Sequence, residues 1–224
     1  MTDFENQGLA MAIQAFSEGD LDGARSIIEA SPGLFGNNAR AQNLLGAIYG
    51  RLGDIDKAHE IWQAALMIEP YEPTNAANTW ANLTGSFLAK GEYEEAIKSA
   101  NRAIDAKPDH ISAIHNRALA YQATQEFEKA LADFDQVLEA HPDHASAWLA
   151  KGICELRLNN PHAARQSLET SLELHPLNPS SHAQLGAVYE ALGDKLMAND
   201  SFKRALELAP SNEGLRRAIE RTKA

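Results

Sequence analysis

Few residues in this chain are placed to do covalent chemistry. The single cysteine, Cys154, lies beside Ile153 and Leu156 in a segment of helical spacing, with no activating base nearby. It reads as a small packing residue rather than a nucleophile. Of the eight histidines, His110, His141, His144 and His175 fall at recurring places, and His141 and His144 are close enough to share a metal ion. Recurrence favours a blander reading, in which polar residues occupy equivalent loop positions, so no metal is expected. Neither a phosphate loop, a dinucleotide glycine signature, HExxH nor G-x-S-x-G is present. The expectation is a non-enzyme with no catalytic residue and no cofactor, acting by recognition. Which side chains meet a partner then depends on the elements that carry them.

Charge narrows the choice of partner. Thirty-one acidic residues against 20 basic ones give a net charge of −11 over 224 residues. Such a surface repels phosphate backbones, which argues against nucleic acid and anionic membranes. A hydrophobic fraction of 44% is enough for a folded core. No run approaches the ~20 apolar residues a spanning helix requires, so membrane insertion is not expected. Met1-Thr2-Asp3-Phe4-Glu5-Asn6 carries two acids and no Lys or Arg, unlike a secretory signal. With one cysteine, no intramolecular disulfide can form, which suits a reducing compartment, and the cytoplasm is the expected location.

Self-similarity organises the rest. Pro70, Pro108, Pro142, Pro176 and Pro210 are spaced by 38 residues and then by 34 three times. Twelve residues before them stand Ala58, Ala96, Ala130, Ala164 and Ala198. Twenty-four before them stand Gly46, Thr84, Ala118, Gly152 and Gly186. Three residues after the small position comes a ring in Tyr49, Phe87, Tyr121 and Tyr189, with Glu155 breaking the series. Small residues let two helices cross closely, rings fill the space beside the crossing, and proline ends the second helix. Turn signals lie between, at Gly53-Asp54, Gly91-Glu92, Asn160-Pro161 and Gly193-Asp194. Asn160 is expected to cap a helix opening on Pro161. Ala130, Phe134, Val137 and Leu138 show the helical period, and no stretch alternates as a strand does.

These marks resemble the tetratricopeptide repeat family, whose pattern spreads Trp, Leu-Gly, Tyr, Ala, Phe and Pro over 34 residues. Residues 39–72 carry Leu45, Gly46, Tyr49, Gly53, Ala58, Trp62, Ala65 and Pro70; residues 77–110 carry Trp80, Leu83, Phe87, Gly91, Tyr93, Ala96, Ala103 and Pro108. Three more repeats are expected at 111–144, 145–178 and 179–212. The resemblance implies an all-α, right-handed superhelical solenoid of antiparallel helix pairs over residues 1–224, with about 13 helices. A degenerate first repeat is expected at 5–38, where Pro32 arrives four residues early and shortens the second helix by about one turn. Around Pro73-Thr74-Asn75-Ala76, the first helix of the repeat either begins late or carries an extra turn. Residues 213–224 read as a capping helix with Leu215, Ala218 and Ile219 on one face.

The resemblance further implies that first helices line a concave, peptide-binding groove through the second, fifth, sixth, ninth, twelfth and thirteenth positions of each repeat. The groove residues it selects are Arg40, Asn43, Arg51, Asn78, Asn82, His115, Asn116, Leu119, Leu149, Ile153, Arg157 and Gln184. Over all the groove positions of the five repeats, Arg40, Arg51 and Arg157 stand against Glu190 alone, which points to an acidic partner. Asn82, Asn116 and Gln184 share one position, and a carboxamide can both donate to and accept from a peptide backbone. Asn82 and Asn116 are expected to face solvent. The five-residue carboxylate clamp of heat-shock co-chaperones is not matched, because Ala81, Gly85, Ser146 and Ala150 surround Asn116 where its other residues belong.

The expected function is therefore a protein-protein interaction adaptor that takes a peptide segment or partner protein in its groove. A dedicated chaperone for a secreted or assembling client is an alternative. So is a structural or oligomerising subunit using the convex face. Oligomeric state is left open by the residues.

Overall fold

The antiparallel pairing of helices follows from how each short turn is built. The computed structural model describes residues 3–68 and 73–223, with side chains from residue 7 on, and its described residues hold helices without a strand. The first six are α1 (Asp3–Glu18), α2 (Leu21–Glu29), α3 (Pro32–Phe35), α4 (Ala39–Arg51), α5 (Ile55–Ala65) and α6 (Pro73–Lys90). Next come α7 (Tyr93–Ala106), α8 (Ile111–Ala123), α9 (Phe127–Ala140) and α10 (Ala145–Arg157). The last are α11 (Pro161–Leu174), α12 (Pro179–Leu192), α13 (Lys195–Leu208) and α14 (Glu213–Thr222). No described helix is long and apolar enough to cross a membrane.

Within the pairs, a left-handed residue reverses the chain and an acid opens the next helix. Gly53 (φ 88°) and Gly193 (φ 82°) precede Asp54 and Asp194, whose carboxylates accept the backbone N–H of Lys57 and Met197. Gln125 (φ 64°) and Asn159 (φ 58°) occupy the same place in two other turns without being glycine. Asn160 corrects an expectation: it precedes Pro161 at the start of α11, yet its side chain makes no capping bond. Proline at the first position needs no donor, and Asn159 supplies the reversal.

Between the pairs, polar side chains start the first helices. Asn38, Asn178 and Asn212 accept N–H groups of α4, α12 and α14. His110 and His144 do the same through Nδ1, each accepting at 3.3 Å from the backbone N–H three residues on. That gives these two junction histidines a structural role.

Close crossings appear where the small residues stand. A β-carbon added to Gly46 would come within 2.4 Å of the Trp62 indole; at Gly152 it would meet Leu168 at 2.7 Å, and at Gly186 it would meet Phe202 at 2.6 Å. Ala130, Phe134 and Val137 are wholly buried on α9. Burying Phe134 or Val137 stabilises by roughly 1.5–3 kcal/mol each. Glu155, where the ring series breaks, is also buried, and it accepts the Ser167 hydroxyl at 2.7 Å.

Two compact units are distinguished, Met1–Arg117 and Ala118–Ala224. In the first, Leu9, Ala24, Ile28, Phe35, Ile48 and Trp62 belong to one core. In the second, α14 packs Leu215, Ala218 and Ile219 with Ala198, Phe202 and Ala205 of α13. Asn199 of α13 donates to the Ile219 carbonyl and the Thr222 hydroxyl, satisfying the last turn of α14.

The irregular first stretch holds one more helix than expected. α2 has 9 residues against 14 in α7, α9, α11 and α13, but Pro32 also opens the short helix α3, so the described helices number 14 rather than 13. Proline fits the first turn of a helix as readily as it stops one. Of the two readings at Pro73, the extra turn holds: α6 begins there and runs for 18 residues. Pro70, expected to end the helix before it, lies outside the described residues.

Candidate functional site

In the first unit, three of the twelve selected side chains converge. Arg51 at the end of α4, Asn82 on α6 and Asn116 on α8 line one cavity of about 380 Å³. Its walls are Phe16 from α1, Ile55 and Trp62 from α5, and Ala47, Gly50, Ala81, Gly85 and Ser86 from α4 and α6. Small residues on the facing first helices open the space; larger apolar ones close its back. Among the described residues of this lining, Arg51 is the one charged group.

The polar groups are held rather than loose. Arg51 is exposed, with its guanidinium 4.8 Å from the centre of the Phe16 ring and one N–H directed to the Phe16 carbonyl at 3.4 Å. Both asparagines are half-buried, so neither stands fully in solvent as the sequence suggests. The Asn82 amide donates to Asn43 Oδ1 at 2.9 Å, and the Trp62 indole donates to the Asn43 carbonyl at 3.1 Å. Two residues of the lining, Trp62 and Asn82, are thus tied to each other through Asn43. Arg40 is exposed at the start of α4, and Asn78 is exposed on α6 beside His110, at 3.0 Å. His115 is half-buried next to Asn116.

In the second unit, Ile153 and Arg157 line a different cavity of about 430 Å³ with Gln122, Gln125 and Phe127. Gln122 is anchored there by donating to the Ala150 carbonyl at 3.1 Å and to Cys154 Sγ at 3.4 Å. Burial pushes the Cys154 thiol up to about 11, against the pull of Gln122, which leaves little thiolate for chemistry. Leu149 packs on the core of Leu168, Leu185 and Val188, whereas Leu119 and Gln184 are half-buried and line neither cavity. Glu190 is paired with Arg221 through two bonds of 2.7 Å.

The selection from first helices missed Phe16, Ile55, Trp62 and Ser86. Phe16 was within reach, because it is the twelfth residue of the degenerate repeat at 5–38 and the twelfth position is a groove position elsewhere. Ile55 and Trp62 belong to a second helix, and Trp62 reaches the lining beside Gly46 and Gly50 of α4. A third cavity, about 450 Å³, lies among Leu66, Met67, Trp80, Phe87, Lys98 and Arg102 and contains none of the selected residues.

Comparison with known proteins agrees with this architecture. Family models described as Tetratricopeptide repeat match residues 39–72 and 77–110, and also 115–165 and 155–213. The Photosystem I assembly protein Ycf3 of Synechococcus sp. (strain CC9902) is 31% identical over 70 residues, a segment that is 31% of this chain and 40% of that protein. The APC/C hetero-tetramer Cut9-Hcn1 superposes with a TM-score of 0.83 at 15% identity, over 97% of this chain and 42% of that one. YrrB, described as a TPR protein with an unusual peptide-binding site, superposes with a TM-score of 0.70 at 14% identity, over 86% of this chain and 97% of that one. The structural likenesses carry the fold, and the family models carry the relationship: the chain belongs to the tetratricopeptide repeat family.

Proposed function

We propose that the chain is a non-catalytic adaptor whose first unit holds an extended segment of a partner protein along α4, α6 and the first half of α8. The observation that carries this reading is the convergence of Arg51, Asn82 and Asn116 on one cavity. The two carboxamides can pair with peptide N–H and C=O groups whatever the partner's side chains. Arg51, with no acid beside it in the lining, favours a segment bearing carboxylates and can engage one of them with its remaining N–H donors. The lone, buried thiol suits a reducing compartment, and we place the adaptor in the cytoplasm. A second reading, an assembly factor that releases its client, is favoured by the 70-residue likeness to a photosystem assembly protein. It uses the same site.

The test is hydrogen exchange on the full chain, with and without a partner identified by mass spectrometry from the source organism. Binding should protect α4, α6 and residues 111–117. Protection confined to α5 and α7, around the third cavity, contradicts the groove reading.

A further inference from the structure

One glycine in the middle of a long helix of the first unit differs from those at the close crossings. Gly46, Gly152 and Gly186 cannot carry a side chain, because a β-carbon would stand 2.4–2.7 Å from a neighbouring side chain. At Gly85 the nearest atom to an added β-carbon is Asn116 Nδ2 at 3.7 Å, an ordinary contact. Gly85 sits in the middle of α6, where glycine is the poorest helix former apart from proline. Packing therefore does not require it. What the missing side chain provides is volume, since Gly85 lines the cavity beside Asn82 and Asn116.

The cavity so opened has a definite chemistry. Ile55 and Trp62 give it an apolar back, and Phe16 an aromatic side. At about 380 Å³ it has room for a large side chain rather than a methyl group. Its single charge, Arg51, is exposed and carried against Phe16. An apolar pocket next to a lone cation complements an apolar residue followed or preceded by a carboxylate.

We infer that the Gly85 pocket is a specificity subsite, taking one bulky apolar side chain, aromatic or leucine, from a partner segment that carries an acidic residue beside it. This rests on the groove reading above and adds to it the side chain the groove selects. Backbone pairing by Asn82 and Asn116 is sequence-tolerant; the pocket supplies the discrimination.

The experiment selects binders from a phage-displayed random dodecapeptide library on the full chain and measures them as synthetic peptides by fluorescence polarisation. Selected peptides should place Phe, Trp or Leu beside Asp or Glu. Gly85→Leu should lose at least tenfold in affinity while its melting temperature equals or exceeds the parent's, because it fills the pocket and improves the helix. Gly85→Ala, which adds one methyl group, should bind only slightly more weakly; if the leucine variant does not fold, the loss on replacing the peptide's bulky residue, measured on the parent, carries the test. Replacing the bulky residue of the peptide by Ala should cost the parent the same tenfold and cost Gly85→Leu nothing further. Equal affinity of parent and Gly85→Leu, with loss in Asn82→Ala/Asn116→Ala, overturns the pocket and leaves the groove standing. Equal affinity in all three variants, or no binder from the parent, overturns both.

Discussion

The Asn82 side-chain amide of α6 donates to the Asn43 side-chain oxygen of α4 at 2.9 Å. A residue selected for its capacity to hold a peptide is thereby also a tie between two helices. Asn82→Ala should cost stability as well as binding, by about 0.5–1.5 kcal/mol for one part-buried hydrogen bond. Asn116 has no bonded partner among the described residues and should cost less. A double-mutant cycle of Asn43→Ala and Asn82→Ala, read in chemical denaturation, should show a coupling of the same size. Additive effects of the two would mean that the bond contributes nothing.

The core of α9 carries a large and a small residue with different expected costs. Phe134 and Ala130 are both wholly buried there. Phe134→Ala leaves a cavity and should cost roughly 3–5 kcal/mol. Ala130→Leu forces extra methylene groups into a filled space and should cost roughly 1–3 kcal/mol. Thermal melts of the two variants check both, and an Ala130→Leu melt equal to the parent's would remove alanine's role as an obligatory small residue.

Gln125 holds a left-handed conformation, φ 64°, in a turn where Gly53 and Gly193 serve elsewhere. That conformation costs a residue with a β-carbon roughly 1–2 kcal/mol, part of which glycine gives back through its freer unfolded chain. Gln125→Gly should therefore raise the melting temperature. Because Gln125 also lines the second cavity, peptide binding in the first unit should be unaffected. A lower melting temperature would show that the glutamine side chain contributes more than its backbone strain costs.

Burial pushes the Glu155 carboxyl above the usual carboxylate range, opposed by the Ser167 hydroxyl and by Lys151. A raised folded value means that the folded chain binds the extra proton. The associated stability is complete below the ordinary glutamate value, about 4.5, and is lost as pH rises through the folded value. Glu155→Gln keeps an acceptor for Ser167 without the charge, so it should be more stable than the parent at pH 7 and above. The difference should shrink as pH falls towards 4.5. A gain that is independent of pH would assign the effect to packing instead.

Most of the fold can be read from the residues, because its determinants are local and recur. Gly46 and Gly186 announce close crossings, the prolines mark helix ends, and Leu215, Ala218 and Ile219 share a face that the structure buries. Harder to read were places where one residue has two outcomes. Pro32 both limits α2 and opens α3, and Pro73 begins α6 a turn early, since proline suits a helix start as well as a stop. Side-chain pairing was not legible either. Asn43 and Asn82 are 39 positions apart, and Arg221 reaches back 31 positions to Glu190, distances at which spacing carries no signal. Of the cavity in the first unit, the polar rim was legible from equivalent repeat positions. Its apolar part, from Ile55 and Trp62, comes from a second helix, to which the equivalent positions of the first helices do not point.

The most direct measurement is titration calorimetry of the parent chain and of Asn82→Ala/Asn116→Ala against the partner segment, with melting curves recorded alongside. The account predicts weaker binding by roughly 1–3 kcal/mol from two lost hydrogen-bonding groups, in a variant that remains folded. Full affinity in that folded variant would contradict a segment held along α4, α6 and α8.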